Sequence, residues 1–241
     1  MTAVSKWLTK PSELTLKEGE VHIWRAPLRL DAVVLDRVRS SLSADEGSRA
    51  NRFVFAGDRD SFVAARGILR ELLGSYTGTA PTELKFDYGP QGKPALGPDC
   101  PPIRFNLSHS HGLAVYAFVR ERQLGIDLEL IRPEFAGDEI AERYFSPAEL
   151  AELRALPREA RAEGFFLCWT RKEAYVKARG EGLQIPLTSF DVSLTPGKEE
   201  ELRSEDAPCW QLHSFEPGAQ YVGALVVEGR GLHLHYWDWT P

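Results

Sequence analysis

A carboxylate set into an apolar helical face is where the sequence first suggests chemistry. Turned through about 100° per residue, the stretch from Phe165 to Lys177 puts Phe165, Phe166, Trp169 and Val176 in one sector. Glu173 falls inside it, between Trp169 and Phe166, and Lys172 and Lys177 flank it. A carboxylate there is costly unless a cation or a metal compensates it. The same Glu173–Lys177 spacing is also that of a solvated i, i+4 pair, worth only about 0.3–0.5 kcal/mol. A second acidic pair shifts the balance. Residues 124–131 alternate as a strand, with Ile126, Leu128 and Leu130 on one face and Asp127 and Glu129 on the other. Two residues apart on a strand, these acids stand about 7 Å apart at Cα, so their side chains can meet on one hard cation or simply form a wet face. Three acids suit Mg²⁺, which takes oxygen ligands and keeps its other positions for water or phosphate.

Other candidates surround these. Phe105-Asn106-Leu107-Ser108-His109-Ser110-His111-Gly112 ends a strand and enters a turn, where Ser108 and His109 can donate to phosphate oxygens or be plainly solvated. Gly89-Pro90-Gln91-Gly92-Lys93-Pro94 is a turn-rich loop with one cation. Arg49, Arg52, Arg59, Arg66 and Arg70 form a basic cluster, either a solvated helix surface or, through Arg52, Arg66 and Arg70, the lining of a phosphate pocket. No GxxxxGK[ST] and no strand-linked GxGxxG occurs, which removes an NTPase P-loop and a Rossmann site.

The elements that must position these groups come in two similar runs. A strand at 21–24 precedes helix over 44–76 and short strands near 84–86, 103–107 and 113–119. Then come a strand at 124–131, helices over 139–156 and 161–179, and strands near 190–194, 210–215, 221–227 and 232–237. Arg52-Phe53 echoes Arg143-Tyr144-Phe145, and the apolar run 113–119 echoes 221–227. The pattern predicts an α+β protein of two pseudo-duplicated halves, 1–121 and 122–241, each a small antiparallel sheet packed with helices. The polar turn Arg120-Glu121-Arg122-Gln123 joins them and has no linker character, so the halves should pack tightly. Ser146-Pro147-Ala148-Glu149 is a helix start with N-cap, N1 proline and N3 glutamate, and Gly180 and Gly182 close the helix that carries Glu173.

With 241 residues the chain has ample material for a core, and no stretch approaches the roughly 20 apolar residues of a membrane span. The N-terminal residues 1–16 mix Lys, Ser and Glu with apolar residues, unlike a signal peptide. Cys100, Cys168 and Cys209 make neither a metal spacing nor an even disulfide set, and Cys168 reads as packing. These features point to a reduced, cytoplasmic protein. A net charge of −6 argues against general nucleic-acid binding but leaves room for a small anionic ligand.

In this order, Gly92-Lys93-Pro94, Phe105 to Ser110, Gly125-Ile126-Asp127-Leu128-Glu129, Arg143-Tyr144-Phe145-Ser146, Trp169 to Lys177 and Gly180-Glu181-Gly182-Leu183 closely resemble the motifs of the Sfp-type 4′-phosphopantetheinyl transferases. The resemblance runs from about residue 92 to 187 and is loose in the N-terminal third. It implies a monomer with the active site between the halves, the first half on the coenzyme A side and the second carrying the metal. It implies transfer of 4′-phosphopantetheine from coenzyme A to a serine of an apo acyl or peptidyl carrier protein, releasing adenosine 3′,5′-bisphosphate. Asp127, Glu129 and Glu173 would hold Mg²⁺, with Glu173 also a base for the serine and Lys177 a phosphate and leaving-group contact. Lys172 would assist at the adenylate end, Ser108 and His109 would meet the pyrophosphate and 3′-phosphate, and Lys93 and Pro94 would border the adenine. Arg52 and Arg66 are the 3′-phosphate candidates, and residues 144–156 either dock the carrier or are core. A Mg²⁺-dependent hydrolase of nucleotide pyrophosphates and a non-catalytic coenzyme A-binding module are the alternatives.

Overall fold

Strict alternation of side chains builds the first sheet. Val21 and Ile23 point one way and Trp24 and Ala26 the other, while on the paired strand Val115, Ala117 and Val119 oppose Ala114, Tyr116 and Phe118. Both faces are apolar, so both must be covered.

The computed structural model describes residues 6–11 and 13–241; residues 1–5 and Ser12, within the N-terminal stretch read above for a leader, lie outside the described residues. In chain order, β1 (Leu8–Thr9) and β2 (Glu20–Pro27) lead into α1 (Ala32–Ser40), α2 (Ala44–Ala50) and α3 (Ala56–Thr77). β3 (Phe86–Tyr88) and β4 (Pro94–Leu96) form one hairpin, β5 (Ile103–Ser110) and β6 (Leu113–Arg120) another. β7 (Leu124–Leu130) opens the second half, followed by α4 (Asp138–Tyr144), α5 (Pro147–Ala155) and α6 (Arg161–Arg179). β8 (Asp191–Val192), β9 (Leu202–Arg203), β10 (Trp210–Phe215), β11 (Tyr221–Glu228) and β12 (His233–Asp238) complete the chain.

Antiparallel β2-β6-β5 in the first half is matched by antiparallel β7-β11-β10 in the second, the pseudo-duplicated α+β arrangement. The faces of the two sheets that meet bury Val21, Ile23, Val115, Ile126, Leu128 and Leu225 between them. α3 covers the outer face of the first sheet, around Trp24, Ile68, Leu69 and Tyr116, and α6 covers that of the second, around Phe166, Ala174, Ala224 and Val226. The result is helix, sheet, sheet, helix.

Several expectations change. The last strand leaves its half: β12 pairs in parallel with β2, so the first sheet runs β1-β12-β2-β6-β5 and a division at residue 121 does not separate the sheets. α1 was not expected; it buries only Val38, and Asp31 caps it through the Val34 N–H at 2.9 Å. The helical stretch 139–156 divides into α4 and α5 at the expected start, where Pro147 holds Ser146 extended (ψ 163°) as the N-cap of α5. Phe145, Leu153 and Leu156 in that stretch are core. β5 also runs to Ser110, and the turn is His111-Gly112, both at positive φ. No helix of the described residues is long and apolar enough to cross a membrane.

Candidate active site

β7 is an edge strand, so its outward N–H and C=O groups need partners that its sheet does not supply. Side chains of β5 provide them across the junction of the halves. Asn106 Oδ1 accepts the Ile126 N–H at 2.8 Å, and Ser110 Oγ accepts the Leu130 N–H at 3.3 Å. On the carbonyl side, Lys93 Nζ donates to Leu124 O and Lys177 O, each at 2.7 Å, and Lys177 Nζ reaches Ile126 O at 3.4 Å. The polar residues of β5 at 106, 108 and 110 thus line one wall, and β7 and α6 the other.

α6 comes close to β7 at one place. A Cβ on Gly125 would sit 2.1 Å from Ala174 O, so the helix can lie this near only over a glycine. This brings the last turns of α6 over Asp127. Lys177 Nζ donates to Asp127 Oδ1 at 2.6 Å, Ser108 Oγ donates to the same oxygen at 2.8 Å, and Lys177 reaches Ser108 Oγ at 3.2 Å. Glu129 accepts from Ser110 Oγ at 2.7 Å. Burial raises the Glu129 pKa above the ordinary carboxylate value, and the Asp127 charge adds to it. Glu173 is raised by burial and by Asp127, and less so by Glu129, with Lys177 opposing. Beside these groups opens a cleft of about 290 Å³, walled by residues 91–94, Asn106, Glu173 and Lys177.

The fit to a divalent cation rests on Asp127 Oδ2, which is buried with no hydrogen-bond partner. Among the described residues an orphaned carboxylate oxygen beside two acids held above their usual pKa is a site short of positive charge. The three acids do not crowd as a closed ligand cage: their oxygens lie more widely spaced than those of Glu20, His22 and His235, the only such trio within 4.8 Å among the described residues. Ligands of one Mg²⁺ lie at most about 4.2 Å apart, so the three carboxylates would close on an ion by side-chain rotation, leaving places for phosphate.

Lys93, Pro94, Glu173 and Lys177 line one cleft, Asp127 and Ser108 are tied to its rim through Lys177, and Glu129 stands close enough to Glu173 to raise its pKa. Lys93 is chiefly a tie between β7 and the end of α6; burial, with Arg104 and Lys177 nearby, lowers its pKa to about 8. His109 alternates to the opposite face of β5 from Ser108, and its crowded corner and the nearby Lys177 hold the ring's pKa below the usual histidine value. Lys172 does not join them. Fully buried, it pairs with Glu149 at 2.9 Å and donates to Leu187 O and Phe190 O at 2.6 and 2.7 Å, which leaves nothing for an adenylate. Arg66 is also committed: it pairs with Glu46, donates to Tyr88 Oη at 2.5 Å and lies over the Phe86 ring, anchoring the β3–β4 hairpin that carries Lys93 and Pro94. Arg52 is exposed after α2, beside Arg49 and Phe53, and does not line the cleft. Sequence reasoning gave no role to Asn106 and Ser110, although polar residues at every second position of β5 marked them.

Two family models cover most of the chain. Residues 123–226 match the 4′-phosphopantetheinyl transferase superfamily model, and residues 32–120 match the 4′-phosphopantetheinyl transferase N-terminal model. The 4′-phosphopantetheinyl transferase HetI of Nostoc sp. (strain PCC 7120) is 44% identical over 97% of this chain and 98% of its own. A putative 4′-phosphopantetheinyl transferase of Synechocystis sp. (strain PCC 6803) is 32% identical over 90% of this chain and 84% of its own. The 4′-phosphopantetheinyl transferase Sfp of Bacillus subtilis (strain 168) is 30% identical over 76% of this chain and 81% of its own. With the acids, the lysine and the β5 hydroxyls in place between two matching halves, the chain belongs to the 4′-phosphopantetheinyl transferase superfamily.

Proposed function

We propose that this enzyme transfers the 4′-phosphopantetheine group of coenzyme A to a serine of an apo carrier protein and releases adenosine 3′,5′-bisphosphate. The observation that carries the reading is the partnerless Asp127 Oδ2 beside Lys177, Glu129 and Glu173 at a cleft between the halves. The serine oxygen attacks the phosphorus that bears the pantetheine arm, and the bond to the bridging oxygen breaks. Such a reaction asks for positioned charge more than for covalent catalysis.

Asp127, Glu129 and Glu173 would hold Mg²⁺, which when bound neutralises pyrophosphate charge. Lys177, anchored through Asp127 and Ser108, is placed to contact the phosphates and steady the leaving bisphosphate. Glu173, whose raised pKa brings it toward the working range of a base, would accept the serine proton. Ser108 and Ser110 hold Asp127 and Glu129 in orientation, and His109 and Pro94 are the remaining ligand-side candidates. One chain supplies both walls of the cleft, consistent with a monomer, and the unpaired cysteines fit a reducing cytoplasm.

Intact mass spectrometry of an apo carrier protein incubated with the enzyme, coenzyme A and Mg²⁺ tests the proposal. A gain of about 340 Da that disappears with chelator supports it. No gain on any of several carriers, with coenzyme A shown to bind, overturns it, and coenzyme A consumed without carrier would instead favour a hydrolase.

A further inference from the structure

On the outer face of the first sheet, away from the cleft, β2 and β12 bring Glu20, His22 and His235 together. His22 and His235 are direct cross-strand partners in the parallel pair, and Glu20 stands two residues before His22, so the three side chains share one face. We propose that Glu20, His22 and His235 form a binding site for a late transition-metal dication, with Zn²⁺ as the ion it fits best.

The spacing argues for an ion rather than a hydrogen-bonded triad. His22 Nε2 stands 3.5 Å from Glu20 Oε2, and His235 Nε2 stands 3.8 Å from Glu20 Oε1. Both gaps are long for hydrogen bonds. They are near the ligand-to-ligand edge of a tetrahedral zinc site, about 3.3 Å for bonds of about 2.05 Å. Two imidazoles and one carboxylate are a borderline-soft donor set that prefers zinc over magnesium.

The surroundings orient the ligands. His22 Nδ1 lies 2.8 Å from Tyr76 Oη, which also accepts the Trp24 Nε1–H at 2.8 Å, so Nε2 is the nitrogen turned toward Glu20 and His235. His235 stacks on Trp237 with the planes 6° apart. Glu20 and His235 remain partly exposed, which gives an ion a route in. An ion there would pin β12, the strand that crosses from the second half, onto the first sheet, with one position free for water.

Cobalt(II) is the probe, since tetrahedral Co²⁺ absorbs strongly in the visible. The full-length protein should develop that absorption with Co²⁺, lose it on adding Zn²⁺, and keep it in excess Mg²⁺. His235→Ala should abolish it. Tyr76→Phe should weaken Co²⁺ binding by about 10-fold or more. Glu173→Gln, which alters only the cleft, should leave it unchanged. No such absorption in the wild type, or a spectrum retained by His235→Ala and lost in Glu173→Gln, would overturn the assignment. Circular dichroism of His235→Ala shows whether that variant is folded.

Discussion

The two halves are one design used twice, and only the second copy carries the acids and the lysine of the candidate site. In each, a short helix begins with a capping box whose N3 glutamate is buried: Ser43 and Glu46 open α2, Ser146 and Glu149 open α5. In each, that glutamate reaches a cation eight residues before the left-handed glycine that ends the next long helix. Arg70 stands so before Gly78, and Lys172 before Gly180. By the same count Glu173 matches Glu71 and Lys177 matches Ser75. The sheet registers align Asp127 with Trp24, Glu129 with Ala26 and Gly125 with His22. Where the second half carries acids and a lysine, the first has a tryptophan, an alanine and a serine, and its Glu71 pairs with Arg37 at 3.2 Å at the surface. A shared scaffold sets where side chains stand, and residue choice decides which copy carries the candidate site.

The ion pairs offer the largest contrast. Glu46 serves two arginines, and although burial alone would raise its pKa, the bonds from Arg70 and Arg66 outweigh this and lower it. Glu149 serves one lysine, and burial keeps its pKa raised. Arg70 cannot shed its proton when its partner is lost, whereas Lys172 can. Glu46→Gln should therefore cost about 3–5 kcal/mol in urea unfolding, and Glu149→Gln clearly less. Equal losses would break the contrast. The pH dependence has a definite sign: with its folded pKa lowered, Glu46 contributes fully above its unfolded value, and that contribution is lost as pH falls through the folded one. The deficit of Glu46→Gln should accordingly shrink only in acid, below the ordinary glutamate pKa.

Next comes the aligned pair Asp127 and Trp24. Asp127→Asn keeps the shape and removes the charge, so carrier modification should fall by about 10²–10³-fold while the melting temperature stays within a few degrees. Trp24→Phe should do the reverse, lowering stability by removing the hydrogen bond to Tyr76 Oη and part of a core contact while leaving turnover per folded molecule nearly unchanged. An active Asp127→Asn variant would remove the metal assignment.

What the sequence disclosed and what it concealed follow the same division. α6 was legible to the residue and β7 to within one, because glycine caps and strict alternation are local signals. That the three acids and Lys177 stand close together was legible, because charge in an apolar pattern is unusual. The repeat was legible in register at 113–119 and 221–227, but the echo of Arg52-Phe53 in Arg143-Tyr144-Phe145 is out of register, since the equivalent positions there are the capping boxes at Ser43 and Ser146. Lys172 was misassigned because a lysine does not announce its partner. Glu149 is 23 residues away, and only the packing of α5 on α6 joins them. The crossing of β12 was equally hidden, since a strand's pattern states that it pairs and not with which neighbour.

Gly125 is aligned with His22, so the sheets tolerate very different side chains at one position. α6 lies on Gly125, with backbone atoms where a Cβ would be. Gly125→Ala should push α6 from β7 at a cost of about 1–3 kcal/mol and reduce activity through Lys177 and Glu173. Unchanged stability in that variant would mean the helix can shift without penalty.

The smallest effect concerns Glu173 and Glu71. A carboxylate whose folded pKa is raised binds its proton more tightly in the native state, so its ionised form costs stability at neutral pH. Glu173→Gln should remove that cost and stabilise the metal-free protein by on the order of 1 kcal/mol near pH 7, while carrier modification collapses. The gain should fade as pH falls through the raised Glu173 pKa, since the wild-type group is then already neutral. Glu71→Gln, at the matching place in the first half, loses only a surface pair with Arg37 and should change stability by less than about 0.5 kcal/mol at any pH. If chelated Glu173→Gln is no more stable than wild type at neutral pH, the cleft is not short of positive charge. The two halves would then differ in residue identity without differing in electrostatic strain.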